Sequence, residues 1–289
     1  MQVCNLFQFN RYTEIMSNIR LWLNILKMAQ SINGLRQYIF YLSNLDVYRL
    51  IEYSNTLRIL GNIESQRQIL DLGTGYSILP LLCKDLRTVD INKKACSWQK
   101  KNCSSEPIIA DFCNLPFKSN CVDVVTAISS IEHVPDDRKV YSEINRILKD
   151  GGCLIMSVPY SSKESNLVRG LRKGFSVNLL NSKYLEKLWV AVLSKDNFYY
   201  FKEQTQTDFL NKVYGKDELF SIIKEENWEI EEEIIFGKKP FQYFFKIFPP
   251  GWFVLKDLAF GYILHKLDNT LESEDGNTIL LKLIKGRKN

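Results

Sequence analysis

Four short clusters in this 289-residue chain have side chains that could do chemistry. The first is Asp71-Leu72-Gly73-Thr74-Gly75, a carboxylate two residues ahead of a glycine pair. Glycines let the backbone turn sharply and let a ligand approach where a Cβ would block it. The second is Asp90, at the end of the next apolar run. A carboxylate there can accept both hydroxyls of a ribose. The third is Ala110-Asp111-Phe112, where an acid can accept from an adenine amino group and the next backbone N–H can donate to a ring nitrogen. The fourth is Ile128-Ser129-Ser130-Ile131-Glu132-His133, which ends in the chain's first histidine. For each acid the competing reading is a turn or helix-capping residue, the ordinary work of aspartate in loops.

The elements that must position these groups follow from periodicity. The strands expected are Gln68–Leu72, Arg87–Ile91, Pro107–Ala110, Val122–Ala127 and Cys153–Val158, with helical runs between. The clearest helix is Arg138–Leu148. Val140, Ile144, Ile147 and Leu148 make one stripe, acids Asp136 and Asp137 precede it, and Lys149 follows. Asp150-Gly151-Gly152 supplies a left-handed turn into the next strand. Strands alternating with helices imply a parallel sheet covered on both faces. Every cluster above then falls just past a strand's carboxyl end, where open α/β sheets bind ligands.

Further along, Lys216–Glu225 reads as a helix with Leu219, Phe220, Ile222 and Ile223 inward. Trp228–Phe236 alternates apolar residues, Ile230 among them, with glutamates, as at a sheet edge. Thr278–Ile284 is nearly all apolar and is expected to be central. Residues 1–60 lack proline and show helical spacing, with Leu42, Leu45, Tyr48 and Ile51 or Leu50 aligned. We read them as two or three helices forming a cap, with a substrate lid as the alternative. The main domain is then 61–289, with variable inserts at about 160–213 and 237–275.

Composition narrows the classes. With 45% hydrophobic and 25% charged residues, the chain is of ordinary globular make-up. A net charge of +5 is a mild excess at this length and makes no case for nucleic acid. The seven cysteines form no CxxC pair and only two histidines are present, so we expect no metal and reduced thiols in a cytoplasmic protein. No secretory signal or membrane span is read.

Taken in order, the clusters resemble the class I S-adenosylmethionine-dependent methyltransferases, in particular those with the type 11 domain. The resemblance runs from about residue 67 to 160. It includes Leu115-Pro116-Phe117, Asp123 and Glu143-x-x-Arg146-Ile147-Leu148-Lys149-x-Gly151-Gly152, with closing elements at 214–227, 228–236 and 278–285. It implies a Rossmann-like, seven-stranded, mostly parallel α/β sheet with a reversed C-terminal hairpin, and S-adenosyl-L-methionine as methyl donor. By that resemblance, Asp71, Gly73 and Gly75 line the methionine side of the cofactor. Asp90 takes the ribose, with Ile91 against the adenine. Asp111 and Phe112 read the adenine edge, and Ile128 or Ser129 closes the pocket. The family often has glycine where this chain has Ser77.

Two other classes compete. A nicotinamide-dependent oxidoreductase needs a third small residue after the glycine pair, where Ile78 stands. A non-catalytic cofactor-binding module is the other.

The sulfonium is already a strong donor, so catalysis can come from alignment and exclusion of water. A base is needed only if the acceptor must lose a proton. His133 is the candidate, with helix capping by His133 or Glu132 as the competing reading. Glu132-His133-Val134-Pro135 also resembles ubiquinone-biosynthesis O-methyltransferases, whose third metal-binding acid falls at Ser129, so no metal is expected. The acceptor motif of many amino-group methyltransferases is absent after strand four, which favours oxygen or carbon of a small molecule, lipid or glycan intermediate. The aromatic insert, with Phe241, Tyr243, Trp252 and Phe253 among basic residues, reads either as a flap packed on the sheet or as an acceptor pocket or membrane-peripheral patch.

Overall fold

The computed structural model describes residues 47–61, 67–171 (except 76, 78, 84, 85 and 104), 208–237 and 276–286. The chain divides into two compact units, and the one built from 59–168, 210–239 and 271–289 holds the sheet. The expected helices before residue 47 and the aromatic insert at 237–275 lie outside the described residues, apart from Gly237 itself. Of the N-terminal segment, one helix is described, α1 (Val47–Gly61). The relation of residues 1–60 to the rest remains our proposal.

The strands are β1 (Ile69–Leu72), β2 (Leu86–Asp90), β3 (Ile108–Ile109), β4 (Val122–Ile128), β5 (Leu148–Ser161), β6 (Asn166–Leu171), β7 (Asp208–Gly215), β8 (Trp228–Phe236) and β9 (Thr278–Lys285). The helices after α1 are α2 (Leu79–Leu82), α3 (Lys93–Asn102), α4 (Asp137–Ile147) and α5 (Lys216–Glu225).

The strands form one nine-stranded sheet in which β3-β2-β1-β4-β5 continues along β5 into β9-β8 and, from the end of β5, into β7-β6, two strands more than the seven expected. Neighbours from β3 to β5 are parallel, while β9 is antiparallel to both β5 and β8. This is the expected mostly parallel sheet with a reversed hairpin. β9 is central, and Ile279, Leu280, Leu281 and Leu283 are fully buried. The order reverses at β1, which has β2 on one side and β4 on the other. This makes β1 the switch point of the sheet, outside whose carboxyl ends open α/β sheets bind ligands.

One face of the sheet packs against α4 and α5. Leu70, Leu72, Val125, Ala127, Leu154 and Met156 share a core with Tyr141, Ile144, Ile147, Leu219, Ile222 and Ile223. The α4 stripe forms as its spacing requires, and Asp136 caps the helix by accepting from the Lys139 N–H.

Three sequence expectations differ. The β5 strand begins at Leu148, not Cys153. Val122 pairs with Leu148 and Val124 with Cys153, so residues 149–152 bulge out within the strand. Gly151, at φ +74°, belongs to that bulge rather than to a turn before it. In β8, a register shift between Ile230 and Glu232 breaks the alternation, and Ile230 is 38% exposed instead of packed inward. The third difference is the pair β6 and β7 inside the 160–213 insert, which local pattern did not reveal. β7 runs parallel to the end of β5, Tyr160 against Tyr214 and Ser161 against Gly215.

Candidate cofactor and acceptor site

Strand register brings the first acid to its partner. Asp71 sits opposite Thr126 across β1 and β4, and the Thr126 hydroxyl donates to Asp71 Oδ1 at 2.5 Å. Burial pushes the Asp71 carboxyl up to about 7, against the lowering effect of its hydroxyl partners Thr126 and Thr74. Asp71 is thus a buried acid poised near neutrality at the root of the glycine loop.

The loop is held on each side. Gly73 N–H donates to Val89 O at 2.9 Å, and Gly75 N–H to Asp90 Oδ2 at 2.7 Å. Gln99 on α3 donates to Gly75 O at 2.7 Å. Both glycines have positive φ, +75° and +51°. A Cβ on Gly73 would stand 2.4 Å from Ser130 Cβ and 3.4 Å from Phe112 Cζ. Gly73 is therefore needed for the loop to close on the segments after β3 and β4. Gly75 has more open surroundings, its nearest neighbour being Gly73 O at 3.8 Å. Ser77, in the position where glycine is common, accepts from Leu79 N–H at the start of α2. The departure from glycine thus supplies a cap.

Asp90 is organised through both oxygens, since Asn92 N–H donates to Oδ1 at 2.8 Å. Burial raises its pKa, with the backbone donors Asn92, Gly75 and Ile91 opposing. Beside it, Ile91 is 66% exposed, an apolar side chain next to a fixed carboxylate. Asp111 is exposed and accepts from Cys113 N–H at 2.9 Å, so it also closes its own turn. The Phe112 side chain is buried in the core. Ser129 has φ +45°, and its N–H bonds to Ser157 through O and Oγ, both at 3.0 Å. Ile128 is buried just before it.

These groups fit an adenosyl cofactor: a preorganised carboxylate for ribose hydroxyls, an exposed aliphatic face for a base, and a glycine loop at φ values that only small residues adopt readily. Asp71, Gly73, Gly75, Asp90, Ile91, Asp111, Phe112, Ile128 and Ser129 all lie at or just past the carboxyl ends of β1 to β4. Which of them touch the cofactor is our assignment.

His133 follows in a short 3-10 turn, Ile131–His133. Its Nδ1 lies 2.6 Å from Leu210 O on β7. A carbonyl only accepts, so Nδ1 carries the hydrogen. Nε2 lies 3.9 Å from Glu132 Oε1. Because Asp136 is the residue that caps α4, neither His133 nor Glu132 serves as the cap. Among the described residues no cluster of three or more His, Cys, Asp or Glu could hold a metal.

Sequence reasoning left some supporting residues without a role. The Glu143-x-x-Arg146 pair clamps the loop after Asp111. Glu143 Oε2 accepts from Leu115 N–H at 2.8 Å, while Arg146 donates to Phe117 O at 2.8 Å and Leu115 O at 3.1 Å. Two further bonds from Arg146 to Glu143 lock the pair together.

Residues 70–156 match the family model described as "Methyltransferase domain". Over this span the chain is similar to methyltransferase domains. An uncharacterized protein of Methanocaldococcus jannaschii is 36% identical over 90 residues, 31% of this chain and 40% of that protein. A sterol 24-C-methyltransferase of Schizosaccharomyces pombe is 33% identical over 96 residues, 31% of this chain and 25% of the other. The chain thus spans well under half the length of these relatives. A solved S-adenosylmethionine-dependent methyltransferase of Mesorhizobium loti shares the fold with a TM-score of 0.50 at 13% identity, over 83% of this chain and all of that one.

Proposed function

We propose that this protein transfers a methyl group from S-adenosyl-L-methionine to an oxygen or carbon of a small molecule, lipid or glycan intermediate. The observation that carries the reading is the Asp90 carboxylate, held through both oxygens by Gly75 and Asn92 beside the exposed Ile91. The donor supplies an activated methyl group when bound. The chain's own residues then hold donor and acceptor in line and exclude water. Asp90 binds the ribose, Ile91 and the Asp111–Phe112 backbone flank the adenine, and Asp71 lies on the methionine side. The nicotinamide alternative is disfavoured by Ile78 at the position that needs a small residue.

On the acceptor side His133 is the proposed base. With Nδ1–H given to the Leu210 carbonyl, the neutral ring has its lone pair on Nε2, which can take the acceptor's proton. The Glu132 carboxylate, 3.9 Å away, favours the imidazolium that results. A lipid or isoprenoid-like acceptor gains support from the short match to a sterol methyltransferase and from the aromatic insert. The six described cysteines are reduced thiols, which suits a reducing, cytoplasmic setting. No helix among the described residues is long and apolar enough to cross a membrane. Peripheral membrane contact is proposed through the aromatic insert.

Incubation of the full chain with methyl-labelled donor and separated lipid, glycan and protein extracts tests the acceptor class. The proposal expects label in a lipid or glycan fraction, lost in Asp90→Ala. Label confined to protein would overturn it.

A further inference from the structure

Strand β7 lies in a segment whose sequence announced no strand, yet it makes three successive connections to the stretch that carries His133. Leu210 O receives the His133 Nδ1 hydrogen at 2.6 Å. Two residues on, Lys212 Nζ reaches Asp137 Oδ2 and Glu218 Oε1, each at 2.7 Å. Two residues further, Tyr214 donates to Asp137 Oδ2 at 2.7 Å, and its ring meets Tyr141 edge-on at 6.4 Å. Residues 210, 212 and 214 share one side of a strand by its period of two. Asp137 opens α4, four residues after His133.

Lys212 is the member with reach to both flanks. Its side chain is 20% exposed, that of Asp137 8% and that of Glu218 30%. Burial opposes the lysine charge, but the bonds to Asp137 and Glu218 outweigh it and raise its pKa. Glu218 is lowered in turn, its burial outweighed by Lys212 and Ser165. Glu218 also accepts from the Ser165 hydroxyl, and Ser165 Oγ accepts from Gly215 N–H at 2.8 Å. A Cβ on Gly215 would stand 2.5 Å from Lys163 O, so the end of β7 is tightly seated. The ion pairs thus tie β7 to the starts of α4 and α5 in one place.

We infer that Lys212 is a positioning residue for His133: by bridging Asp137 and Glu218 it fixes β7 so that the Leu210 carbonyl selects the Nδ1–H tautomer. This rests on the proposed role of His133 as base. Imidazole in a mobile setting exchanges its hydrogen between two nitrogens, and a base must have its lone pair on the right one. A backbone carbonyl does that work here as a carboxylate does in a catalytic triad. The insert therefore contributes to the chemistry as well as to shape. It reaches the base through a main-chain atom that no substitution of Leu210 removes, and this makes Lys212 the practical handle.

Nitrogen-15 imidazole spectra of the full chain read the tautomer directly. Only His133 and His265 are present, so His133→Gln assigns the signals. The expected result is Nδ1–H for His133 in the wild type, loss of that pattern in Lys212→Met, and its return in Lys212→Arg. An Nε2–H wild-type ring overturns the inference, as does an unchanged Nδ1–H ring in folded Lys212→Met. Should Lys212→Met fail to fold by circular dichroism, Asp137→Asn carries the test. There the Nδ1–H share should fall at least twofold, and no fall overturns the inference. S-adenosylhomocysteine affinity, measured on the same samples, is expected to change less than twofold in Lys212→Met. Absent binding in the wild type would sink the functional reading, while the tautomer result would still decide the role of Lys212.

Discussion

Thr126 donates its hydroxyl to Asp71 at 2.5 Å across adjacent strands, and this bond links the strand that leads into the glycine loop to the strand that ends at Ile128. It does not overcome burial, which leaves the Asp71 carboxyl at about 7 against an ordinary 3.8. The folded state therefore binds the proton more tightly than the unfolded chain. The stability it contributes is full below the ordinary value and is lost as pH rises through about 7. The ligand-free protein should lose stability between those pH values, and Asp71→Asn should flatten that part of the curve. Chemical denaturation at a series of pH values measures it, and an unchanged slope in Asp71→Asn would count against the account.

The same acid should couple proton release to cofactor binding. A cationic donor favours ionised Asp71 by simple attraction. Near pH 7, binding of S-adenosyl-L-methionine should release a fraction of a proton, seen as a calorimetric heat that varies with the buffer's ionisation enthalpy. Asp71→Asn should show less variation. Equal buffer dependence in both proteins would place the released proton elsewhere.

Gly73→Ala should destabilise the protein by at least about 2 kcal/mol, from the left-handed backbone and from overpacking against Ser130. Gly75→Ala meets open surroundings and should cost less stability, while still weakening cofactor binding because of its φ of +51°. Thermal melts of the two variants check the order, and a less stable Gly75→Ala would reverse the assignment.

The Glu143–Arg146 clamp predicts an effect at a distance. Arg146→Met removes the bonds from α4 to the Leu115 and Phe117 carbonyls, loosening the loop that begins at Asp111. Affinity for S-adenosylhomocysteine should fall about tenfold, or ~1.4 kcal/mol. Lys149→Met breaks a comparable ion pair with Asp123, at the start of β4, without touching the loop after Asp111, and should leave affinity unchanged. The Arg146 bond holds the Glu143 carboxyl below its ordinary 4.5. Its contribution to stability is therefore present above that value and lost as pH falls below it, opposite in sign to Asp71. Equal effects of the two lysine and arginine variants on binding would remove the clamp's special role.

How much of this was legible in the sequence depended on whether the cause was local. The α4 stripe, the β9 apolar run and the glycine loop declare themselves within a few residues, and they form where expected. The β7 strand does not, because its partly buried Lys212 is made tolerable by Asp137 and Glu218, and its pairing with β5 is confined to Tyr214 and Gly215. The β8 bulge, likewise, is set by register against β9, and its sequence still alternates. In the candidate site the acids could be named, but not the partners that tune them. Thr126 lies 55 residues from Asp71, and Leu210 lies 77 from His133. Only the folded sheet makes them neighbours.

The central claim is that Asp90 and the glycine loop form a site for an adenosyl methyl donor. Titration calorimetry with S-adenosylhomocysteine and with NADH, on wild type and Asp90→Ala, tests it most directly. The account predicts binding of S-adenosylhomocysteine alone, weakened at least tenfold in Asp90→Ala. Tight NADH binding with none of S-adenosylhomocysteine would contradict it.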